Sequence, residues 1–191
     1  MTSAKTVLRK MLRAGANLGR IVPILAPILL ITTVANGDSG FVLSTSAFEP
    51  GQPIPVEYSC SGANRSPVLK WSGAPSGVGS FALIVEDPDA PSGTFIHWVV
   101  FNLPADATGI PADAPHTPTL ADGAAQGVNG MDRVGYMGPC PPPGKMHHYH
   151  FELFALDSKL NAQPGLDAGA LREAMQGHTK ASTELVGTFE R

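Results

Sequence analysis

Phe81-Ala82-Leu83-Ile84-Val85-Glu86-Asp87-Pro88-Asp89-Ala90-Pro91 is the stretch on which the fold reading turns. Its first five residues are all apolar, so a strand built from them has no face that prefers water. Such a strand belongs in the middle of a sheet that is covered on both sides. It ends at Glu86-Asp87, and the prolines that follow fix φ and remove amide donors, which stiffens the exit. Ile96-His97-Trp98-Val99-Val100-Phe101-Asn102-Leu103 reads as a second strand of the same kind, with one histidine inside an apolar run. His150 to Asp157 reads as a third.

Working outward, the periodicity stays close to two. Phe41, Leu43 and Thr45 alternate, as do Ile54, Val56 and Tyr58, across the turn-forming Glu49-Pro50-Gly51-Gln52-Pro53. Leu69 and Trp71 mark another short strand. Residues 104–133 are rich in Ala, Gly, Pro and Asp and read as a long excursion. A helix is expected from Ala168 to Gln176, with Asp167 as its N-cap and Gly177 beyond its end. Thr183 to Phe189 returns as a strand. The chain has 191 residues with 21 Gly, 18 Pro and 43% hydrophobic residues, which suits short strands and tight turns in one domain. The expectation is an all-β protein: an antiparallel β-sandwich with one or two peripheral C-terminal helices.

Residues 1–35 read as a signal peptide or N-terminal anchor, and 36–191 as the domain. Lys5, Arg9, Lys10, Arg13 and Arg20 precede an apolar run from Ile21 to Val34, and Thr33-Val34-Ala35 offers small residues for cleavage. Pro23 and Pro27 and the short run argue against a permanent membrane span. Export to a periplasmic or external space is the expectation, with an uncleaved anchor as the alternative. In an oxidising compartment, Cys60 and Cys140 are expected to form a structural disulfide, two unpaired buried thiols being the alternative.

A second rigid segment lies far downstream: Gly135-Tyr136-Met137-Gly138-Pro139-Cys140-Pro141-Pro142-Pro143-Gly144, running into His147-His148-Tyr149-His150. Rigid backbone beside carboxylates and imidazoles points to a pre-formed pocket for a small polar ligand. Two Pro-rich surface loops with solvated charges are the bland alternative. The net charge of -3 gives no basic face for nucleic acid. No HExxH zinc motif or GxSxG elbow is present, so a metal-dependent or acid–base hydrolase is a minor alternative. His148 and His150 share a strand face opposite to His147. His150 is expected to be structural or solvent-facing, His116 and His178 to be loop residues, and Glu152 to sit in an ion pair.

Asp87-Pro88-Asp89-Ala90-Pro91, His97-Trp98 opening a strand, and Gly138-Pro139-Cys140-Pro141-Pro142-Pro143-Gly144 with His147-His148-Tyr149 resemble the two signature regions of the phosphatidylethanolamine-binding protein family. The likeness is to its bacterial and archaeal Raf-kinase-inhibitor-like branch. Tyr58-Ser59-Cys60-Ser61-Gly62-Ala63-Asn64-Arg65-Ser66-Pro67 also fits that branch, and the similarity covers about residues 41–191. The resemblance implies a Greek-key sandwich with a small anion pocket and a binding or regulatory role, without catalytic residues, metal or cofactor. It implies a phospholipid head group or another small anion as ligand. It also implies a possible protease or kinase partner, so an inhibitor-type interaction module is the alternative. Membrane contact would come only through an uncleaved N-terminus or a lipid ligand. Carried over by position, the pocket contains Asp87, Asp89, Pro91, His97, Gly138, Pro141, Pro142, His147 and Tyr149. One departure is His148, where the family commonly has Arg.

A phosphate carries roughly -1.5 to -2 charges near neutrality, so carboxylates beside it would repel it. Asp87 and Asp89 are therefore expected to orient His97 or His147, or in one case to meet an ethanolamine ammonium. The amides of Gly138, Cys140 and Gly144 are candidate additional donors.

Overall fold

The computed structural model describes residues 40–191; the leader expected over residues 1–35 lies outside them. Strands β1 (Val42–Ser44), β2 (Leu69–Ser72), β3 (Ser80–Asp87), β4 (Phe95–Pro104), β5 (Gly109–Ile110), β6 (Ala125–Gln126), β7 (His147–Leu156) and β8 (Thr179–Phe189) form two antiparallel sheets. The smaller has the order β1-β2-β5 and the larger β6-β4-β3-β7-β8. Helix α1 (Ala168–Ala174) is the one α-helix among the described residues.

The two-sided apolar character of β3 and β4 has a direct cause in packing. Phe81, Leu83 and Val85, with Trp98 and Val100, join Leu43, Leu69 and Trp71 of the small sheet in one core. Ala82, Ile84, Val99 and Phe101 face the other way and pack with Leu171 and Met175 of the α1 region. Each such buried side chain contributes about 1.5–3 kcal/mol relative to exposure, so the central strands are held from both faces. The Asp167 side chain caps α1 by accepting from the Ala170 amide at 2.8 Å. Arg172 on that helix reaches back to Glu86 at 2.9 Å and Glu152 at 2.7 Å, which accounts for a charge within β7.

The sequence reading fails at residues 54–58. Ile54 is buried, but Val56–Tyr58 is a 3-10 turn and not a strand. Pro53 and Pro55 supply no ladder donors, and the Tyr58 and Ser59 amides turn back to Pro55 and Val56. Strand β7 starts at His147, three residues earlier than expected, and β8 at Thr179, four earlier. The excursion over 104–133 carries only the two-residue strands β5 and β6. Gln126 ties it down, accepting from Trp98 Nε1 at 2.7 Å and donating to the Pro115 and Thr117 carbonyls.

Strand direction then places the chemistry. β4, β3 and β7 are antiparallel neighbours in that order, so the end of β3 and the starts of β4 and β7 share one rim. Asp87 is opposite Phe95, and Glu86 is opposite His150.

Candidate functional site

At this rim Asp87, His97 and His147 are 3%, 3% and 1% exposed. Asp87 Oδ1 accepts the Asp89 amide at 2.8 Å, and its Oδ2 accepts from His147 Nδ1 at 2.7 Å. Both carboxylate oxygens are thus committed, and the His147 ring is fixed with Nε2 turned away from Asp87. That Nε2 is buried and has no protein partner, a cost that folded proteins seldom accept without a reason. His97 Nδ1 donates to the Met137 carbonyl at 2.6 Å. Its ring stands edge-on between Phe95, at 4.9 Å between centroids, and Tyr149, at 5.1 Å. Burial pushes the His97 pKa below its ordinary value, against the opposing pull of the Met137 carbonyl and the Asp87 charge. The ring is therefore neutral near pH 7, and with Nδ1 carrying the proton its Nε2 is an acceptor.

The second rigid segment is attached to the 58–64 loop at four points. Cys60 and Cys140 are disulfide-bonded with Cα atoms 5.4 Å apart. The Cys60 amide donates to the Pro139 carbonyl at 3.0 Å, and the Gly138 amide to Asn64 Oδ1 at 2.7 Å. The Tyr136 hydroxyl donates to the Tyr58 carbonyl at 2.9 Å. Asn64 sits at φ 55°, a region that a short amide side chain tolerates. Gly138 is required here by close approach, since a Cβ would collide with the Tyr58 carbonyl oxygen.

Between the two segments lies a cavity of about 420 Å³, lined by Asp87, Ala90, Pro91, Phe95, His97, Met131, Met137, Cys140, Pro141, Pro142, Pro143, His147 and Arg191. Six of the expected residues, Asp87, Pro91, His97, Pro141, Pro142 and His147, meet in it. Three do not line it. Asp89 is turned outward, where its Oδ2 accepts from the His148 amide at 2.9 Å and from His148 Nδ1 at 2.7 Å. Those bonds, the side-chain one first, hold the Asp89 carboxyl below its usual range. Asp89 thus orients His148 in place of the expected His97 or His147. Gly138 spends its amide on Asn64, and the Gly144 amide is likewise taken, by the Arg191 carbonyl. Tyr149 lies in the core against the His97 ring. Burial first, then the charges of Asp87 and Asp89, raise its pKa, so the phenol stays protonated.

Arg191 is the functional candidate that the sequence reading missed. It brings a guanidinium to the cavity, with Nη1 3.7 Å from Cys140 Sγ. The β7–β8 register carries it there. His147, at the start of β7, is opposite Phe189, at the end of β8, so the last residues of the chain emerge beside the second segment. The remaining histidines of the strands and turns form exposed or half-buried pairs, His150 with Glu184 and His178 with Asp157.

This arrangement has relatives. The family model for phosphatidylethanolamine-binding protein matches residues 44–190. The chain belongs to that family. It is 46% identical over 149 residues to a UPF0098 protein of Methanothermobacter thermautotrophicus, covering 78% of this chain and 98% of the relative. The solved structure of Escherichia coli YbcL, titled a new member of the mammalian PEBP family, is 33% identical with a TM-score of 0.75, covering 80% of this chain and 99% of that one. A Mycobacterium tuberculosis relative, LppC, whose name proposes a lipoprotein, is 40% identical over 160 residues, 83% of this chain and 77% of the relative. Membership brings a ligand-binding or regulatory role, in a family of generally non-catalytic proteins that bind small ligands and proteins. The disulfide and the lipoprotein-named relative both agree with an exported protein.

Proposed function

We propose that this protein is a non-catalytic binding protein whose cavity takes the phosphate of a small ligand or lipid head group. The observation that carries this reading is the buried Nε2 of His147, unpartnered in the protein and backed by the Asp87 carboxylate. A proton on that nitrogen is balanced by Asp87 and can be donated to one anionic oxygen, a charge-assisted bond of the stronger kind. Arg191 adds a cation at the cavity, and the apolar walls from Phe95, Met131 and the prolines accept the organic remainder of the ligand. Binding without turnover is supported by membership of a family of generally non-catalytic binding proteins.

In this reading residues 1–35 are an export leader or anchor and 36–191 the working domain, active outside the cytoplasm. Calorimetric titration with inorganic phosphate tests the site. His147→Gln is expected to weaken binding at least tenfold, the loss of one charge-assisted hydrogen bond. Unchanged affinity in that variant would remove His147 from the site.

A further inference from the structure

Away from the rim, the described residues enclose a second cavity that takes no part in the site above. β4 starts at the rim with Phe95 and ends at Pro104, roughly 30 Å of extended chain further on. Beyond Pro104 the excursion folds around a hollow of about 440 Å³, walled by Ala107, Ile110, Pro111, Ala114, Pro115 and Leu120. Ile110 and Ala114 belong to the main core, and Ala107 and Leu120 pack against it. The floor of the hollow is therefore continuous with the core, and its size is that of an ordinary small-molecule site.

Its walls are tied to the rest of the fold. The Asp113 amide donates to the Ser66 carbonyl at 3.0 Å, and the Ala114 amide to Ser66 Oγ at 2.8 Å. Gln126 Nε2 donates to the Pro115 and Thr117 carbonyls, each at 2.7 Å. The Leu120 amide donates to the Ala124 carbonyl at 2.8 Å. A ligand meets this hollow already formed, which removes an ordering cost from binding.

The charge around it has one sign. Asp106, Asp113 and Asp122 are among the lining residues, with no lysine, arginine or histidine. All three are exposed, and among the described residues none is in an ion pair. Asp122 Oδ1 accepts the Ala124 amide at 3.0 Å, which uses one of its two oxygens. We propose that this cavity binds a small organic cation, an amine carried on an apolar body. The apolar walls remove the body from water. The exposed carboxylates meet the ammonium on the solvent side, where it keeps its hydration and is not buried alone. An anionic ligand of the same shape is repelled by the same three groups. Among the described residues no three acidic, histidine or cysteine side chains are gathered to hold a metal ion, so the match is to a cation that brings its own apolar surface.

The test is an amide chemical-shift titration of the disulfide-intact protein at about pH 7 and low salt, with three probes that share one ring. Phenethylamine is the cation at that pH, phenethyl alcohol the neutral counterpart and phenylacetate the anion. Phenethylamine is expected to bind in the low-millimolar range or tighter, with its shifts concentrated in residues 104–122. It should bind about five- to tenfold tighter than the alcohol, with phenylacetate the weakest. Salt at about 0.5 M should bring the amine down to the affinity of the alcohol and leave the alcohol unchanged. Combining Asp106→Asn, Asp113→Asn and Asp122→Asn should do the same at low salt, and an asparagine oxygen still accepts the Ala124 amide. The wild-type comparison decides even if that variant folds poorly. Equal binding of the three probes overturns the proposal. So do shifts that fall at 87–97 and 137–147 instead, or no shift at about 10 mM phenethylamine. None of these outcomes bears on the phosphate reading of the rim site.

Discussion

Asp87–His147 and Asp89–His148 are one carboxylate–imidazole hydrogen bond built twice from neighbouring positions of the same two segments. Each has a Nδ1 to carboxylate distance of 2.7 Å. In the first pair the His and Asp side chains are 1% and 4% exposed; in the second they are 52% and 36% exposed. Alternation along β7 is enough to separate them, because His147 points inward and His148 outward. Bond length therefore says little about what either pair does. Surroundings decide it: water screens and replaces the outer pair, while the inner one has no substitute for its partner.

The largest expected effect is at Asp87. Asp87→Ala strands the His147 ring and the Asp89 amide, and should cost about 3–5 kcal/mol of unfolding free energy in a urea titration. A cost below about 1 kcal/mol would break the contrast. Next is the covalent clamp beside the inner pair. Replacing Cys60 and Cys140 together by Ser should cost about 2–4 kcal/mol. Amide exchange should rise across 135–144 before it rises in β3, since the strand keeps its neighbours on both sides.

The third effect is a pH dependence. His97 has a folded-state pKa below its ordinary value of 6.5. The unfolded chain therefore binds the proton first. The stability linked to His97 is complete above about pH 6.5 and is lost as pH falls through its folded-state value. Urea midpoints measured in phosphate-free buffer should drop as pH falls from about 6.5 toward the lower folded-state value and level off beneath it, and His97→Phe should flatten this part of the curve. The smallest effect is at the outer pair. Asp89→Ala should cost no more than about 1 kcal/mol, and high salt should erase most of it. The lowered Asp89 carboxyl works in a more acidic range: its contribution is present above the ordinary carboxylate pKa and disappears as pH falls through the folded one.

Much of this is legible in the residues, for reasons that differ by region. β3 and β4 announce themselves because both faces are apolar, and both faces are in fact covered. Asp87, His97 and His147 can be grouped because each stands near a strand end beside a stiff segment. Val56 is misleading, since an apolar residue two positions from Ile54 imitates alternation when only prolines betray the missing donors. Asp89 cannot be told from Asp87 by its sequence neighbourhood, and only the outward turn after Pro88 separates them. Arg191 is invisible for another reason: nothing local marks it, and it reaches the cavity only through the pairing of β7 with β8.

The disulfide also shapes the connectivity of the molecule. Cys60 and Cys140 are 80 positions apart, and β2, β3, β4, β5, β6 and the whole excursion over 104–133 lie between them. All of this chain is therefore inside a covalent ring. A single protease cut anywhere in that ring opens a loop and adds one water to the mass, but it releases no fragment. The broken ends stay within reach of their partners, held by the sheet and by one sulfur bridge. For a protein with a long stretch of little regular structure, that converts the most vulnerable part of the backbone into one that can be severed without the protein coming apart.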